Sequence, residues 1–356
     1  MISQKGLLTL EASGSNHDMG VKVGKKCRLV ISRRLAESRR RLEESKIPWI
    51  QAIERSREFV PYSEEYNPDY IEFVKGFSKG SGQNFEDLFV LLVEGEKGLC
   101  TDIAVNQQGT ADGSVLHAHS EDWRTTEEKN YVLLRARSRG GPSCIVLTLG
   151  GLEWIAGMNS AGLTLTGNAV YPNDTRIGVP NLMVAHKIIS CRRLGEAIAA
   201  AVPPHRASSL NNNICHPSGE LYSVEASATD FAVINGIDGY IVHTNHYIHP
   251  RMTGYESLFG NEGNKSLKDG TSSIVRYNRA LRLMKSRFGE ITVESLKAIL
   301  EDHVNRPGSI CRHLDIGAPQ NEKYKTNIAL IIDPTNLRMH VCVGNPCVGT
   351  FVEHKL

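Results

Sequence analysis

The feature that most constrains this chain is an abrupt change of texture at Cys100. Before it, apolar residues recur at helical spacing; after it, they gather in short runs of β type. The segment from Ser32 to Ile47 and, past Pro48, the stretch "WIQAIERSREFV" read as two helices or as one helix kinked at the proline. Two more helices are expected in "NPDYIEFVKGFSKG", opened by Asn67-Pro68 with Asp69 in the first turn, and in "NFEDLFVLLVEGE". After Cys100 come "TDIAVN", "SVLHAHS", "YVLLRARS", "CIVLTLG" and "LTLTGNAV", separated by turn clusters such as Asp112-Gly113 and Gly140-Gly141-Pro142. A helical pattern returns over 181–201, strands over 221–243, helices near 273–287 and 292–303, and a last strand pair at 326–343. Blocks of strands and helices that do not alternate one for one predict an α+β fold, with antiparallel sheets covered by helices. The long polar stretch "TGYESLFGNEGNKSLKDGTSS" reads as a mobile rim.

The bulk properties exclude several functions. Among 356 residues, 41 basic side chains face 39 acidic ones, a formal charge of +2 that offers no electrostatic attraction to nucleic acid or an anionic membrane. The cluster Arg39, Arg40 and Arg41 is matched within a turn by Glu37, Glu43 and Glu44 and reads as a solvated face. No apolar run reaches the roughly 18 residues of a spanning helix, and the N-terminus lacks the apolar core of a signal peptide. A cytoplasmic protein acting on a small molecule is expected. The C-terminal His354-Lys355-Leu356 is a loose relative of the peroxisomal tripeptide address and offers that alternative. Eight cysteines show no CxxC pair and no tight zinc-finger spacing, so neither a disulfide framework nor a structural zinc site is expected.

Cys100 stands out because it opens a strand, in "KGLCTDIAVN". A thiol is a useful nucleophile only when a base or a positive environment supplies thiolate. One arrangement supplies the base without a histidine. If the peptide bond before the cysteine is cut, the new α-amino group, with an unperturbed pKa of about 8, lies within reach of its own sulfur. The same thiol can make that cut by attacking the preceding carbonyl, after which water resolves the thioester.

"CTDIAVN", followed by "HSEDW", "GMNSAGLTLTGNAV", "VHTNH" and "GSICRH", resembles the acyl-coenzyme A:6-aminopenicillanic acid acyltransferase family, also called isopenicillin N acyltransferase or peptidase family C45, of the N-terminal nucleophile hydrolases. The likeness extends to "GSNHDMGVKVGK" and "IEFVKGFSKGSGQNFEDLFVLLVEGE" in the first hundred residues, similar to the family's pro-segment. The resemblance implies a four-layer αββα sandwich and a precursor that cleaves itself between Leu99 and Cys100. Residues 1–99 and 100–356 would be its small and large subunits and would stay associated. It further implies that Asp122 and Arg312 pair to orient the amino terminus and thiol, that Asn245 donates to an oxyanion, and that Thr101 and His243 support the site. An Asp–Arg contact is expected to depress the carboxylate pKa. The implied substrates are small acyl amides and acyl-CoA, with no cofactor and no metal.

Two features complicate the likeness. The residue before the family's cysteine is commonly glycine, whereas here it is Leu99 with Gly98 one step back, and slower self-cleavage is expected. His117 and His119 in "LHAHS", joined by His243 or Asp122, offer a rival metal-dependent hydrolase site. A second rival places His243 or His246 beside Cys100 as a papain-like dyad. A third retains the sandwich as a non-catalytic binding or scaffold protein.

Overall fold

A computed structural model of the chain describes residues 6–94, 98–208, 210–259, 266–318 and 323–356. Its N-terminal part holds strand β1 (Leu8–Gly14) and helices α1 (Asn16–Glu44), α2 (Trp49–Arg57), α3 (Val60–Tyr66), α4 (Pro68–Ser81) and α5 (Phe85–Val93). The expected break at Pro48 is present: α1 ends at Glu44, and α2 begins one residue after the proline. α1 is much longer at its start than periodicity suggested, because Gly20 and Gly24 lie inside it rather than breaking it. These glycines cross Gly76 and Gly80 of α4 so closely that a Cβ at Gly20 would lie 2.1 Å from the Phe73 carbonyl oxygen, and one at Gly76 2.1 Å from that of His17. Backbone contact compensates for the poor helix propensity of glycine.

β1 runs parallel to β4 (Tyr131–Ser138) at the edge of an eight-stranded sheet. That sheet continues through β5 (Ser143–Leu149), β6 (Glu153–Asn159), β7 (Thr164–Ala169), β8 (Leu210–Cys215), β9 (Leu221–Ala226) and β10 (Phe231–Asn235). A six-stranded sheet has the order β11 (Tyr240–His243), β2 (Leu99–Val105), β3 (Leu116–Arg124), β12 (Tyr324–Asp333), β13 (Arg338–Val343) and β14 (Val352–Lys355). Helices α6 (Asn181–Ile189), α7 (Leu194–Ala201), α8 (Ser266–Lys285) and α9 (Val293–Leu300) complete the fold. The latter part of the expected polar rim is therefore the start of α8, while residues 260–265 lie outside the described residues.

Side-chain alternation fixes the layers. Val132, Leu134 and Ala136 of β4 pack with α1, α4, α5 and α6, whereas Leu133, with Ile145 and Leu147 of β5, meets Ile328, Leu330 and Ile332 of the second sheet. The other face of that second sheet, through Ile103, Ala118 and Ile331, packs on Ala280 and Met284 of α8 and Leu296 and Ile299 of α9. The architecture is thus the expected four-layer αββα sandwich. His354 is buried in β14, and the Leu356 N–H donates to the Leu337 carbonyl, so the C-terminal tripeptide is part of the sheet edge. No described helix is long and apolar enough to cross a membrane.

Candidate active site

β2 is buried along its whole length and lies between β11 and β3 in the six-stranded sheet. Cys100 pairs with Glu121, and Asp102 with His119, so these four side chains share the face turned toward the other sheet; Leu99 pairs with Asp122, and Thr101 with Ser120, on the helical face. The β2–β11 ladder ends at Asp102–His243. One register step beyond, the side chain of Asn245 takes over: its Oδ1 accepts the Cys100 N–H at 2.9 Å. Its Nδ2 donates to the Ala169 carbonyl at 3.1 Å. Asn245 therefore turns its oxygen, rather than its amide, toward Cys100.

Both ends of this contact are gripped by Arg276, which motif reading did not single out. It is 1 % exposed on α8. Nη1 donates to the Cys100 carbonyl at 2.5 Å and to Thr101 Oγ1 at 3.0 Å, and Nη2 to Asn245 Oδ1 at 2.7 Å. Burial lowers this guanidinium to about 10, helped by the like charge of Arg312 and opposed by Asp122, so it remains charged at neutral pH. A sequence signal existed: Arg276 precedes Ala280 and Met284 at intervals of four, which puts a charge in the buried stripe of α8.

Asp122 and Arg312 do meet, on the helical face of the sheet. Arg312 Nε lies 3.5 Å from Asp122 Oδ2, and Thr326 Oγ1 donates to Asp122 Oδ1 at 2.7 Å. The expected depression of the carboxyl pKa is corrected: burial outweighs the pull of Arg312 and Arg276 and pushes Asp122 up to about 6. Ser272 joins the two guanidinium groups, its Oγ accepting from Arg312 Nη2 at 2.8 Å and from Arg276 Nε at 3.3 Å. Asp122, Arg312 and Arg276 thus form one buried charge cluster behind the strand that Cys100 opens.

The carboxylate in contact with the thiol is Glu121, at 3.7 Å from Sγ to Oε2. Glu121 belongs to "HSEDW", in which the resemblance implies a role for Asp122 alone. Its oxygens also accept from Trp123 Nε1 at 2.5 Å and face His119 Nε2 at 2.8 Å, while His119 Nδ1 is 3.0 Å from Asp102 Oδ1. Burial works against a charged His119, yet Asp102 and Glu121 on either side outweigh it and raise the imidazole to about 10. The Cys100 thiol is held well above its usual range, first by burial and then by the carboxylates of Glu121, Asp102 and Asp122. In the uncut chain the sulfur is therefore a protonated thiol. The Ala169 N–H points at it.

The rival arrangements do not assemble. His117 hydrogen-bonds through Nδ1 to Thr164 and through Nε2 to Thr166, each at 2.8 Å. Asp122 lies on the opposite face of the sheet from both histidines. Both ring nitrogens of His119 face carboxylates, Asp102 and Glu121, rather than His117. His243 is committed to Glu225 Oε1 at 2.8 Å, Asn168 and the Thr244 carbonyl, and His246 to Ser273 and Thr244, so neither forms a dyad with Cys100.

The residue before the cysteine departs from glycine without left-handed strain: neither Gly98 nor Leu99 has a positive φ. Gly98 is required for another reason, since a Cβ there would lie 2.3 Å from Trp123 Nε1. A cavity of about 270 Å³ opens onto Cys100, Glu121, Trp123 and Ala169. Phe59, Leu92 and Val93 from the first hundred residues form part of its wall, with Ile155 and Leu182 opposite. Its size is at the small end for ligand sites.

The fold and site define an α+β protein of the four-layer αββα type, with a buried cysteine near the head of a central strand. The chain belongs to the acyl-coenzyme A:6-aminopenicillanic acid acyltransferase family, whose model matches residues 109–347 and so includes Asp122, Asn245, Arg276 and Arg312. It is 25 % identical over 301 residues to the 40 kDa form of acyl-coenzyme A:6-aminopenicillanic-acid acyltransferase from Emericella nidulans, covering 82 % of this chain and 79 % of that one. Solved structures similar to it include a mutant conjugated bile acid hydrolase from Clostridium perfringens, with TM-score 0.49 and 12 % identity over 72 % of this chain and 97 % of that one. Penicillin V acylase from Agrobacterium tumefaciens has TM-score 0.47 and 17 % identity, covering 68 % and 83 % of the two chains.

Proposed function

We propose that this protein cleaves or forms amide bonds of small acyl-amine molecules through an acyl-thioester on Cys100, after cutting itself between Leu99 and Cys100. The observation that carries the proposal is the grip on the Cys100 backbone nitrogen. A buried strand N–H ordinarily donates to the next strand's carbonyl, but this one donates to a side-chain amide that Arg276 holds in place. Such a fixture positions the nitrogen as a functional group in its own right. His119, within 4.8 Å of the thiol, is bonded through both ring nitrogens to Glu121 and Asp102 rather than to the sulfur, and the α-amine then supplies the base in turnover.

In self-cleavage, Sγ attacks the Leu99 carbonyl carbon while Glu121 accepts the thiol proton. Glu121 passes that proton to the Cys100 nitrogen, the C–N bond breaks, the nitrogen leaves as an amine, and Leu99 is held as a thioester. Water releases Leu99 as a carboxylate, and residues 1–99 stay packed, since they supply α1 to α5 and part of the cavity wall. In turnover, the thiol passes its proton through the α-amine to the leaving amine and takes the acyl group. Water or an acceptor amine then resolves the thioester. The Ala169 N–H, directed at Sγ, is the donor offered to the oxyanion, and Asn245, oriented by Arg276, anchors the α-amine. Asp122 balances the charge of Arg276, and Arg312, tied to both by its contact with Asp122 and through Ser272, completes the cluster without touching the substrate.

Intact-mass analysis tests the proposal. Two polypeptides divided between Leu99 and Cys100 in the wild type, one uncut chain in Cys100→Ala, and turnover of N-acyl amines or acyl-CoA donors by the cut form alone are expected. An uncut wild type that turns over such substrates, or a cut one with no activity on either donor class, would reject it.

A further inference from the structure

Four potential metal ligands meet on the side of the molecule where α9 and the β13–β14 connection come together, away from the Cys100 cavity: His303, Cys311, His313 and Cys347. Their ligating atoms all lie within 4.8 Å of one another. His303 Nε2 is 3.0 Å from His313 Nε2; Cys311 Sγ and Cys347 Sγ lie 3.6 Å and 3.5 Å from the same His313 nitrogen. A tetrahedral zinc ion with Zn–S of about 2.3 Å and Zn–N of about 2.05 Å has sulfur–nitrogen edges of about 3.5 Å and a nitrogen–nitrogen edge of about 3.3 Å. The three edges that meet at His313 Nε2 are already near those lengths, and the other three are within 4.8 Å.

We propose that His303, Cys311, His313 and Cys347 bind a zinc-class divalent cation in a closed, structural Cys₂His₂ site. The donor set is that of a structural rather than a catalytic centre, with four protein ligands and two thiolates that neutralise the ion. Binding releases the two thiol protons to solvent. Outer partners are present as well. Asn345 Nδ2 reaches Cys311 Sγ at 3.5 Å and donates to the Arg312 carbonyl at 2.7 Å, and the Cys347 N–H points at the Cys311 sulfur. The sequence hides the site because the ligands come from three separate places: the end of α9, the segment carrying Arg312, and the connection after β13. The ion would tie that connection to the two residues flanking Arg312, and so make Arg312 a residue positioned by the metal.

The test uses the full chain in the Cys100→Ala background, so that neither the nucleophile nor self-cleavage enters the readout. Elemental analysis after dialysis is expected to find about one zinc per chain. Cobalt(II) substitution is expected to give visible ligand-field bands with a thiolate-to-metal charge-transfer band, which disappear in Cys311→Ser/Cys347→Ser. His303 is exposed, so His303→Ala keeps the fold by circular dichroism and weakens zinc affinity by more than the roughly 10- to 100-fold cost of losing an outer partner. Zinc-free protein with reduced, titratable Cys311 and Cys347 and no cobalt charge-transfer band would overturn the proposal. A Cys311–Cys347 disulfide in a non-reducing digest, or unchanged zinc affinity in a folded His303→Ala, would do so equally.

Discussion

Glu121→Gln separates two ways in which the carboxylate beside Cys100 can act. Glu121 touches the sulfur, at 3.7 Å, and its charge also helps to hold the thiol above its usual range. Even a thiol at the ordinary value of 9.0 is only roughly 3 % ionised at pH 7.5, and this one is less so. Spontaneous thiolate is therefore scarce, and a base at the sulfur matters. If Glu121 takes the proton as Sγ attacks the Leu99 carbonyl, the amide variant cuts itself about 100- to 10,000-fold more slowly, the range that general-base assistance contributes. If Glu121 were only an opposing charge, neutralising it would ease thiol ionisation and cutting would speed up. The two outcomes have opposite sign. Glutamine offers one acceptor where Trp123 and His119 both donate, so one hydrogen bond is lost, about 1–3 kcal/mol, which leaves the fold intact. A time course of intact mass after translation gives the rate of cutting. A rate equal to or faster than wild type would refute the assignment of Glu121 as base.

Arg276→Met removes a buried charge that donates to Cys100, Thr101, Asn245 and Ser272, and leaves Asp122 undercompensated; urea unfolding is expected to show about 3–5 kcal/mol lost, with self-cleavage abolished in the folded fraction. The folded His119 is raised to about 10, so its contribution to stability is complete below about 6.5, the unfolded value, and is lost as pH rises toward 10. Denaturation midpoints across that window are expected to fall in the wild type and to fall less in His119→Gln; parallel curves would count against a charged imidazole between Asp102 and Glu121. Gly76→Val forces a Cβ to within 2.1 Å of the His17 carbonyl, a backbone atom that cannot swing away, and is expected to cost about 3 kcal/mol or more by the same unfolding assay, whereas Gly113→Ala, with open space around it, is expected to lose only its left-handed backbone preference.

Much of the fold is legible in residue order, because the signals involved are local. The helices opened by Pro48 and by Asn67-Pro68 start where proline and capping chemistry place them, and the runs after Cys100 became β2, β3, β4, β5 and β7. The misses have tertiary causes. β8, with the sequence "LNNNIC", lies where no strand is expected, and Asn211 and Asn213 are buried in it because Asn168 and Ser223 satisfy their amides from neighbouring strands. α1 contains two glycines that only the crossing with α4 makes tolerable.

By itself, the sequence determined that this chain would pair a helical first part with a sheet region opened by a cysteine. It also fixed which strand faces were apolar, since alternation with period two and helical spacing are properties of adjacent residues. Tertiary structure alone decided what surrounds the sulfur. Arg276 and Asn245 lie 176 and 145 residues from Cys100 in the chain, yet both hold its backbone. The sign of the Asp122 shift was likewise settled by burial, a quantity that no spacing of residues encodes, and the same folding gathered His303, Cys311, His313 and Cys347 from segments that share no local pattern.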